Sequence, residues 1–319
     1  MKVLPQVVFV VPPTVYLLDL AGPVQVFQEA VFQGQPYQLR YCSYQETVVS
    51  SPGLGLGPLL SFEQVPIAPG DFIMVAGLEM AYLRSAAFRR EGQALFAWLR
   101  TQQALGARIG SICTGAFVLA EAGLLDGRKC TTHWRRLAEL QARYPRVRSQ
   151  GDTLFVEDGG IYTSAGVTSG IDLALYLLEE AHGPRFATQV ARGLVVYSRR
   201  GAQHGQQSIY LNYRRHVHAG IHHVQDWLGE HLAVGATLPM LADVVGMSPR
   251  TLTRTFRQAT GITIQAYTTA LRREVADTLS RNPAQTMEAI AAQCGFKNVR
   301  QLQRIWARPK PGGGHAPAG

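Results

Sequence analysis

The chain has 319 residues, of which 46% are hydrophobic and 17% are charged, and its formal net charge is +9. These proportions exclude a disordered, fibrous or low-complexity protein, and the length predicts two domains. Residues 1–200 contain 18 basic and 16 acidic side chains, whereas residues 201–319 contain 13 and 6. A basic C-terminal third indicates a module that binds nucleic acid, although a soluble basic surface has the same composition.

Cysteine usage and the N-terminal segment indicate the compartment. The four cysteines form no CxxC pair, so we expect reduced thiols, no disulfide framework and no metal site. The apolar N-terminal stretch is interrupted by Pro12, Pro13 and Asp19, which argues against a signal peptide or a membrane span. A cytoplasmic protein without a membrane partner is predicted.

Strand-like and helical patterns alternate along the first 198 residues. Strands are predicted at 7–11, 37–42, 72–76 and 108–112, with helical spacing at 20–31, 92–103, 114–122, 168–183 and 184–197. Such alternation is typical of an α/β domain with a parallel sheet. We therefore place a first domain at 1–198 and a polar, Gly-containing linker at 199–215.

One motif in this domain, IGSICTGAFVLAEAGLLDG, places a cysteine between a strand and a helix. Small neighbours, Ser111 and Gly115, flank Cys113, as a nucleophile elbow requires. The helix dipole at this position predicts a lowered thiol pKa and a reactive thiolate. A free cysteine is also a common small buried side chain, which is the structural alternative.

Two further residues are candidates for the same site. His133, 20 residues after Cys113, is the obvious base for nucleophilic catalysis, but it also suits the start of the next helix. Asp19 opens a predicted helix, where an acidic side chain often does no more than interact with the helix dipole. The sequence leaves a site role and a structural role open for both.

The C-terminal domain, placed at 216–308, is predicted to be all helical. Its helices are expected at 218–231, 238–245, 249–259, 263–281, 287–293 and 298–307. The remaining residues, 309–319, are too rich in Gly and Pro to bury a core and are expected to be disordered.

An internal repeat organises this domain. Ala242 and Gly246 recur as Ala291 and Gly295 at an offset of 49 residues, and the segments LTRTF and LQRIW follow them. Each copy predicts a helix, a glycine turn and a second helix. The connecting helix, 19 residues or roughly 28 Å long, suits two units docked in neighbouring major grooves about 34 Å apart. A helical-hairpin interaction domain is the alternative.

Residues 220–306 resemble the DNA-binding domain of AraC/XylS-type transcription regulators. The resemblance is carried by LADVVGMSPRTLTRTFRQATGITIQAY, by Arg272, Ala276 and Leu279 in the connecting helix, and by IAAQCGF. The chain departs from that family after Trp306, where ARPKPGGGHAPAG replaces a Gly, Pro and Tyr segment. The resemblance implies contacts to bases or phosphates of double-stranded promoter DNA. The candidates lie on the second helix of each unit or at its start: Arg250, Thr251, Thr253, Arg254, Arg257, Lys297, Asn298, Arg300, Gln303 and Arg304. For Arg254 and Arg304 a purely structural role is equally compatible.

Residues 1–200 resemble the class I glutamine amidotransferase-like fold, a flavodoxin-like parallel-sheet sandwich. Within it they resemble the ThiJ/PfpI branch fused to AraC-type domains, often called GlxA-like, through LDLAGPVQVF, IGSICTGAFVLAEAGLLDGRKCTTHW and GGIYTSAGVTSGIDLALYLLEEAHG. The resemblance implies a homodimer with no cofactor. It also implies a pocket formed by Asp19, Cys113, Thr114 and His133 that binds a small effector, such as an amino acid or a quaternary amine.

Two functional hypotheses follow. The first is a ligand-responsive, non-catalytic transcription regulator. Arg135 stands where a glutaminase-like His-x-Glu has its acid, and Thr114 stands where PfpI proteases have histidine, so neither of these activities is expected. The rival is a cysteine-dependent enzyme with an appended DNA-binding domain, because Asp19 and the Cys113-Thr114 pair resemble isonitrile hydratases of the same superfamily.

Overall fold

A computed structural model describes residues 5–151, 153–196, 206, 209–214, 216–280 and 285–307. The chain divides into two compact units, Met1–Gln206 and Gln207–Gly319, inside the predicted linker 199–215. Part of that linker, Ile209–Asn212, is helical, and Ile209 is buried in the core of the second unit. The second unit therefore begins before residue 216. The predicted tail, 309–319, lies outside the described residues. No described helix is long and apolar enough to cross a bilayer.

The first unit contains one large sheet and two small ones. Its strands are β1 (Gln6–Val10), β2 (Gln38–Ser43), β3 (Val48–Val49), β4 (Gly55–Leu56), β5 (Leu60–Ser61), β6 (Phe72–Val75), β7 (Arg108–Ile112), β8 (Lys129–Cys130), β9 (Arg148–Ser149), β10 (Phe155–Asp158) and β11 (Ile161–Ser164). The seven-stranded sheet has the order β10-β11-β7-β6-β1-β2-β5. Within it every pair is parallel except β10 with β11.

Helices cover both faces of this sheet. They are α1 (Leu17–Phe32), α2 (Met80–Arg84), α3 (Ala86–Ala104), α4 (Gly115–Glu121), α5 (Leu137–Arg143) and α6 (Thr168–Gly193). All five residues of β1 are buried; Val8 and Val10 belong to the core that contains α3 and α4, whereas Val7 and Phe9 belong to the core that contains α1 and α6. A parallel sheet is normally covered by helices on both faces, and this sheet is. The α/β prediction is therefore confirmed.

The sheet is mostly parallel, as predicted, and its one antiparallel pair, β10 with β11, lies at an edge. Gly159 and Gly160 join β10 to β11, with φ values of 62° and 78°. Positive φ at both central residues is the geometry of a two-residue hairpin turn, for which consecutive glycines are favoured. The Gly-Gly pair was therefore a usable hairpin signal that the strand pattern alone did not reveal.

The second unit is all helical, as predicted. Its helices are α7 (Ile209–Asn212), α8 (Ala219–Glu230), α9 (Leu238–Val244), α10 (Pro249–Thr260), α11 (Ile264–Leu279), α12 (Met287–Gln293) and α13 (Val299–Trp306). Six of them begin at a polar side chain that accepts a hydrogen bond from the N–H three residues later, namely His218, Thr237, Ser248, Thr263, Thr286 and Asn298. Such caps satisfy N–H groups that have no partner within the helix.

Two cores lie along α11. Leu252 and Phe256 are fully buried in the core of the first helix-turn-helix, and Leu302 is fully buried in the core of the second. The last helix is formed despite the departure after Trp306, whose ring packs against the second core. The connecting helix has 16 residues rather than the predicted 19, because Thr263 and Ser280 are its caps. It is therefore about 24 Å long.

Candidate functional site

The first site is centred on Cys113, where the chain turns sharply between β7 and α4. Its φ is 54°, a left-handed value that is uncommon for a residue with a β-carbon. The Cys113 N–H donates to Ser164 O over 3.0 Å, and the Thr132 hydroxyl donates to Cys113 O over 2.7 Å. The strained strand-to-helix turn of a nucleophile elbow is present.

Glycines allow neighbouring segments to approach this turn. A β-carbon on Gly115 would lie 2.5 Å from Val75 O, and a β-carbon on Gly166 would overlap the Cys113 side chain. Both distances are below van der Waals contact, so larger residues would displace the backbone. The predicted need for a small residue at Gly115 follows from this close approach of α4 to the end of β6.

Asp19 is part of the Cys113 site and does not cap α1. Its side chain is 1% exposed, and Oδ1 accepts a 2.6 Å hydrogen bond from the N–H of Val167, 148 residues away. The other oxygen, Oδ2, lies against Gly77 and has no hydrogen-bond partner of good geometry among the described residues. Burial raises the pKa of Asp19 to about 6, while the Val167 N–H and the Cys113 thiol beside it act in the opposite direction.

The predicted lowering of the Cys113 pKa is wrong. Burial raises the pKa of this thiol far above its usual value, and the neighbouring Asp19 charge raises it further. The backbone N–H of Thr114, at the start of α4, lowers it but does not compensate. Burial and the Asp19 charge therefore both favour the thiol over the thiolate.

Thr114 and His133 have other partners than the cysteine. The Thr114 hydroxyl accepts from the N–H of Leu78 over 2.8 Å and donates to Leu78 O over 2.6 Å, so it fixes the loop after β6. The Nδ1 atom of His133 accepts from Arg135 N over 3.3 Å, and its ring stacks on Trp134. Within the described residues, no hydrogen bond joins His133 to Cys113.

The His133 pKa is lowered by burial and by the positive charges of Arg135 and Arg136. The imidazole is therefore neutral at pH 7, but it has no acid that would orient it toward the thiol, as catalysis by a base requires.

The structure adds residues to this site that the sequence did not indicate. The N–H of Tyr16 donates to Gly77 O over 2.9 Å, and burial raises the pKa of its phenol, as do Cys113 and Glu79 nearby. Val167 has φ 52° and ψ −116°, a strained conformation for a β-branched residue. Tyr16 lies outside the quoted motifs and Val167 lies within the stretch that begins GGIYTSAGV, but only the fold brings the two residues to Cys113.

A polar contact links this site to the end of the first unit. The side-chain amide of Gln206 donates to Thr131 Oγ1 and to Thr132 O, both over 3.0 Å. Thr132 is the residue whose hydroxyl holds the Cys113 carbonyl. Gln206 is also the last residue of the unit, so the chain leaves the first unit from a residue two hydrogen bonds away from Cys113.

The second candidate site is formed by α10 and α13. Seven long polar side chains on these helices or at their starts are exposed: Arg250, Arg254, Arg257, Lys297, Arg300, Gln303 and Arg304. Within the described part of the chain, Arg254 and Arg304 make no salt bridge, which favours an external partner over an internal one. An open cleft of about 610 Å³ borders α10 and is lined by Leu238, Pro249, Thr253, Gln258 and three arginines of the helix.

Three other candidates use their polar atoms within the unit. The Thr251 hydroxyl bonds to Ser248 Oγ over 2.8 Å, and the Thr253 hydroxyl donates to Pro249 O over 2.9 Å. Asn298 Oδ1 accepts from Gln301 N over 2.9 Å as the cap of α13. These residues shape the helices, and the exposed cations form the positive surface.

No group of three or more His, Cys, Asp or Glu side chains suited to a metal ion occurs among the residues that the structure describes. An elbow cysteine in an α/β unit, followed by two helix-turn-helix units with exposed basic second helices, defines the class of DNA-binding regulators with an appended α/β domain.

Comparison with known proteins identifies the family. The DJ-1/PfpI family model matches residues 5–180, and a helix-turn-helix domain model matches residues 241–308. The HTH-type transcriptional regulator CdhR of Pseudomonas aeruginosa is 33% identical over 260 residues, which is 81% of this chain and 74% of CdhR. The chain belongs to the DJ-1/PfpI family and, within it, to the HTH-type transcriptional regulators, as the sequence resemblance implied.

Two further matches concern the first unit. The isonitrile hydratase of Pseudomonas putida is 34% identical over 183 residues, covering 56% of this chain and 72% of the hydratase. The crystal structure of a ThiJ/PfpI family protein from Pseudomonas syringae superposes with a TM-score of 0.53 at 24% identity, over 62% of this chain and 77% of that protein. The structural match supports the fold.

The raised pKa of Asp19 predicts how stability depends on pH. A carboxyl whose folded-state pKa is raised from 3.8 to about 6 contributes stability below pH 3.8 that is lost as the pH rises through 6. Relative to Asp19→Asn, the wild-type first unit should lose about 2–3 kcal/mol between pH 4 and pH 7. Calorimetric unfolding of both proteins across this range measures the difference, and a pH-independent difference would contradict the assignment.

Proposed function

We propose that the protein is a ligand-responsive transcription regulator whose first unit senses a small effector at Asp19 and Cys113. The observation that supports this most directly is the combination of a buried elbow thiol beside Asp19 with exposed cationic helices on the second unit. Among the described residues His133 makes no hydrogen bond to the thiol, and the exposed cations have no described internal partner. Sensing and DNA binding suit these two features better than catalysis.

The effector class follows from the charge in the site. Asp19 contributes one buried carboxylate above pH 6, while Cys113 contributes a neutral thiol. A buried carboxylate whose Oδ2 is approached, among the described residues, by the weak thiol donor of Cys113 favours a ligand that brings a positive charge or a stronger donor. A small amine, such as an amino acid or a quaternary amine, fits this requirement. Thr114 and His133 shape the site through Leu78 and Trp134.

DNA binding is assigned to α10 and α13. Phosphate contacts supply most of the affinity of such proteins and make it dependent on salt. We assign phosphate or base contacts to the exposed cations, and a helix-shaping role to Thr251, Thr253 and Asn298. The protein is proposed to act in the cytoplasm as a homodimer, so that two copies of the second unit bind one promoter.

Gln206 is the proposed route from the effector site to the second unit. An effector changes DNA binding only if it binds one conformation of the protein better than another. A ligand that moves Cys113 or Thr132 alters the two hydrogen bonds that hold Gln206. The position of the chain that leaves the first unit then depends on whether the site is occupied.

The rival function is a hydratase of the isonitrile type. It is favoured by one observation: Asp19, Cys113 and Thr114 are adjacent in the structure, and the hydratase of P. putida matches this unit. A neutral thiol beside a carboxyl whose pKa is about 6 would need Asp19 to accept the thiol proton during attack. The two functions therefore differ in whether Cys113 turns over a substrate.

Replacement of Arg250 tests the DNA-binding surface. Arg250→Ala should weaken binding of the protein to its own upstream DNA by about 1–3 kcal/mol. It should also reduce by about one the slope of the logarithm of the binding constant against the logarithm of the salt concentration. Arg90→Ala, an exposed arginine of α3 in the first unit, is the control and should change neither. Gel-shift titrations at several salt concentrations measure both quantities. Equal behaviour of the two variants, or no wild-type shift on any upstream fragment, would contradict the proposal.

Replacement of Gln206 tests the coupling. With wild-type protein, at least one amine from a set containing L-arginine and glycine betaine should change the affinity for upstream DNA by about 5- to 150-fold. Gln206→Ala should keep the basal affinity and lose this change, whereas Gln93→Ala, exposed on α3, should retain it. A response that persists in Gln206→Ala excludes this route, and no wild-type response to any member of the set contradicts the effector class.

Turnover distinguishes the regulator from the rival enzyme. We expect the wild-type protein and Cys113→Ala to give the same background rate with an alkyl isonitrile, because a protonated thiol without an oriented base is a poor nucleophile. Product formation followed by chromatography at pH 7 and pH 8.5 measures this rate. A wild-type rate well above that of Cys113→Ala would establish the hydratase instead.

A further inference from the structure

The two helix-turn-helix turns share a backbone conformation but differ in their surroundings. Gly246 and Gly295 occupy equivalent places in the repeat, with φ values of 62° and 70°. A β-carbon on Gly246 would meet no atom within 4 Å, whereas one on Gly295 would overlap Leu232 O and lie 2.7 Å from Arg272 Nη2. The first turn needs glycine for its φ alone, and the second needs it also for packing.

Arg272, on α11, is at the centre of this contact. Its Nη2 atom donates a 3.0 Å hydrogen bond to Leu232 O, just after the end of α8. Leu232 lies just beyond the C-cap of α8, and a charged guanidinium donor forms a stronger hydrogen bond to its carbonyl than a neutral donor would. The planar guanidinium also packs against Gly295, which follows the buried Cys294 of the second turn.

This contact joins the two cores of the second unit. Leu232 belongs to the core of the first helix-turn-helix, and Cys294 belongs to the core of the second. Without it, the second core would be held to the first mainly along α11 and by the chain between α11 and α12. Arg273, the next residue of α11, contacts the end of α13, because its Nη2 atom donates a hydrogen bond to Trp306 O over 3.2 Å.

We propose that Arg272 is a positioning residue that fixes the separation and angle between the DNA-binding helices α10 and α13. The consequence for DNA rests on the proposed function: both helices engage one DNA molecule only when their separation matches neighbouring major grooves. The effect on the protein itself does not depend on that function, so the two are tested separately.

The distance between the two helix-turn-helix units gives the direct test. Asp243 and Ala292 are exposed, equivalent positions on α9 and α12, and all four native cysteines are buried. Nitroxide labels on Asp243→Cys and Ala292→Cys in the full-length protein should give one narrow distance distribution by pulsed electron spin resonance. Arg272→Ala should broaden or displace it, and Arg272→Lys, which retains one donor, should restore it in part.

A matched pair of glycine variants separates positioning from folding. Gly246→Ala and Gly295→Ala introduce a similar backbone strain of about 1 kcal/mol, but only Gly295→Ala disturbs the Arg272 contact. The label distance should therefore change in Gly295→Ala and remain as in wild type in Gly246→Ala, with circular dichroism confirming that both are folded. Identical distributions in wild type, Arg272→Ala and Gly295→Ala would overturn the proposal.

A DNA measurement tests the consequence. DNA selected by the wild-type protein from a random pool is trimmed into fragments that contain both contacted segments or only one. Arg272→Ala should bind the two-segment fragment about tenfold or more weakly, because the second contact no longer benefits from a fixed geometry, and should bind the one-segment fragment as wild type does. If the label distances change but the wild-type protein selects no DNA from the pool, the proposed function is refuted and the positioning role remains supported. Unaltered distances would refute the positioning role whatever the DNA result.

Discussion

The first unit depends on the left-handed backbone of Cys113. A residue with a β-carbon reaches φ 54° only when its surroundings determine the conformation, at a cost of about 1–3 kcal/mol. Here Ser164 O and the Thr132 hydroxyl hold the peptide groups on its two sides, and Gly166 allows a loop to lie against the side chain. The same contacts bury the thiol, so the packing that forms the elbow also determines its chemistry.

Two opposing effects act on that thiol, and their magnitudes decide the outcome. The dipole at the start of a short helix is worth about 0.3–1 kcal/mol, which is less than one unit of pKa. Burial shifts a pKa by up to about 3–5 units, and the negative charge of Asp19 acts in the same direction as burial. The elbow motif therefore predicted the geometry correctly and the ionisation wrongly, because a sequence shows the helix start but not the degree of burial.

Local signals predicted most of the fold. The glycine turns and the apolar spacing of α10 depend on residues a few positions apart, and the sequence predicted both. The hydrogen bond between Asp19 and Val167 joins residues 148 positions apart. No periodicity or spacing encodes such a contact, so whether Asp19 caps its helix or faces the cysteine could be decided only from the structure.

The same limit applies to the second unit, where the repeat predicted two equal helix-turn-helix units. The backbone is indeed repeated, but Arg272 and Leu232 surround only the second glycine turn. Two binding helices add their affinities efficiently only if the first contact places the second near its target, and this effective concentration falls as the connection becomes more flexible. When the separation of the two helices is fixed, the affinity for DNA depends steeply on whether both helices can bind the same DNA molecule. An effector that supplies about 1–3 kcal/mol of coupling would then change promoter occupancy substantially, without any change in the two helices proposed to bind DNA.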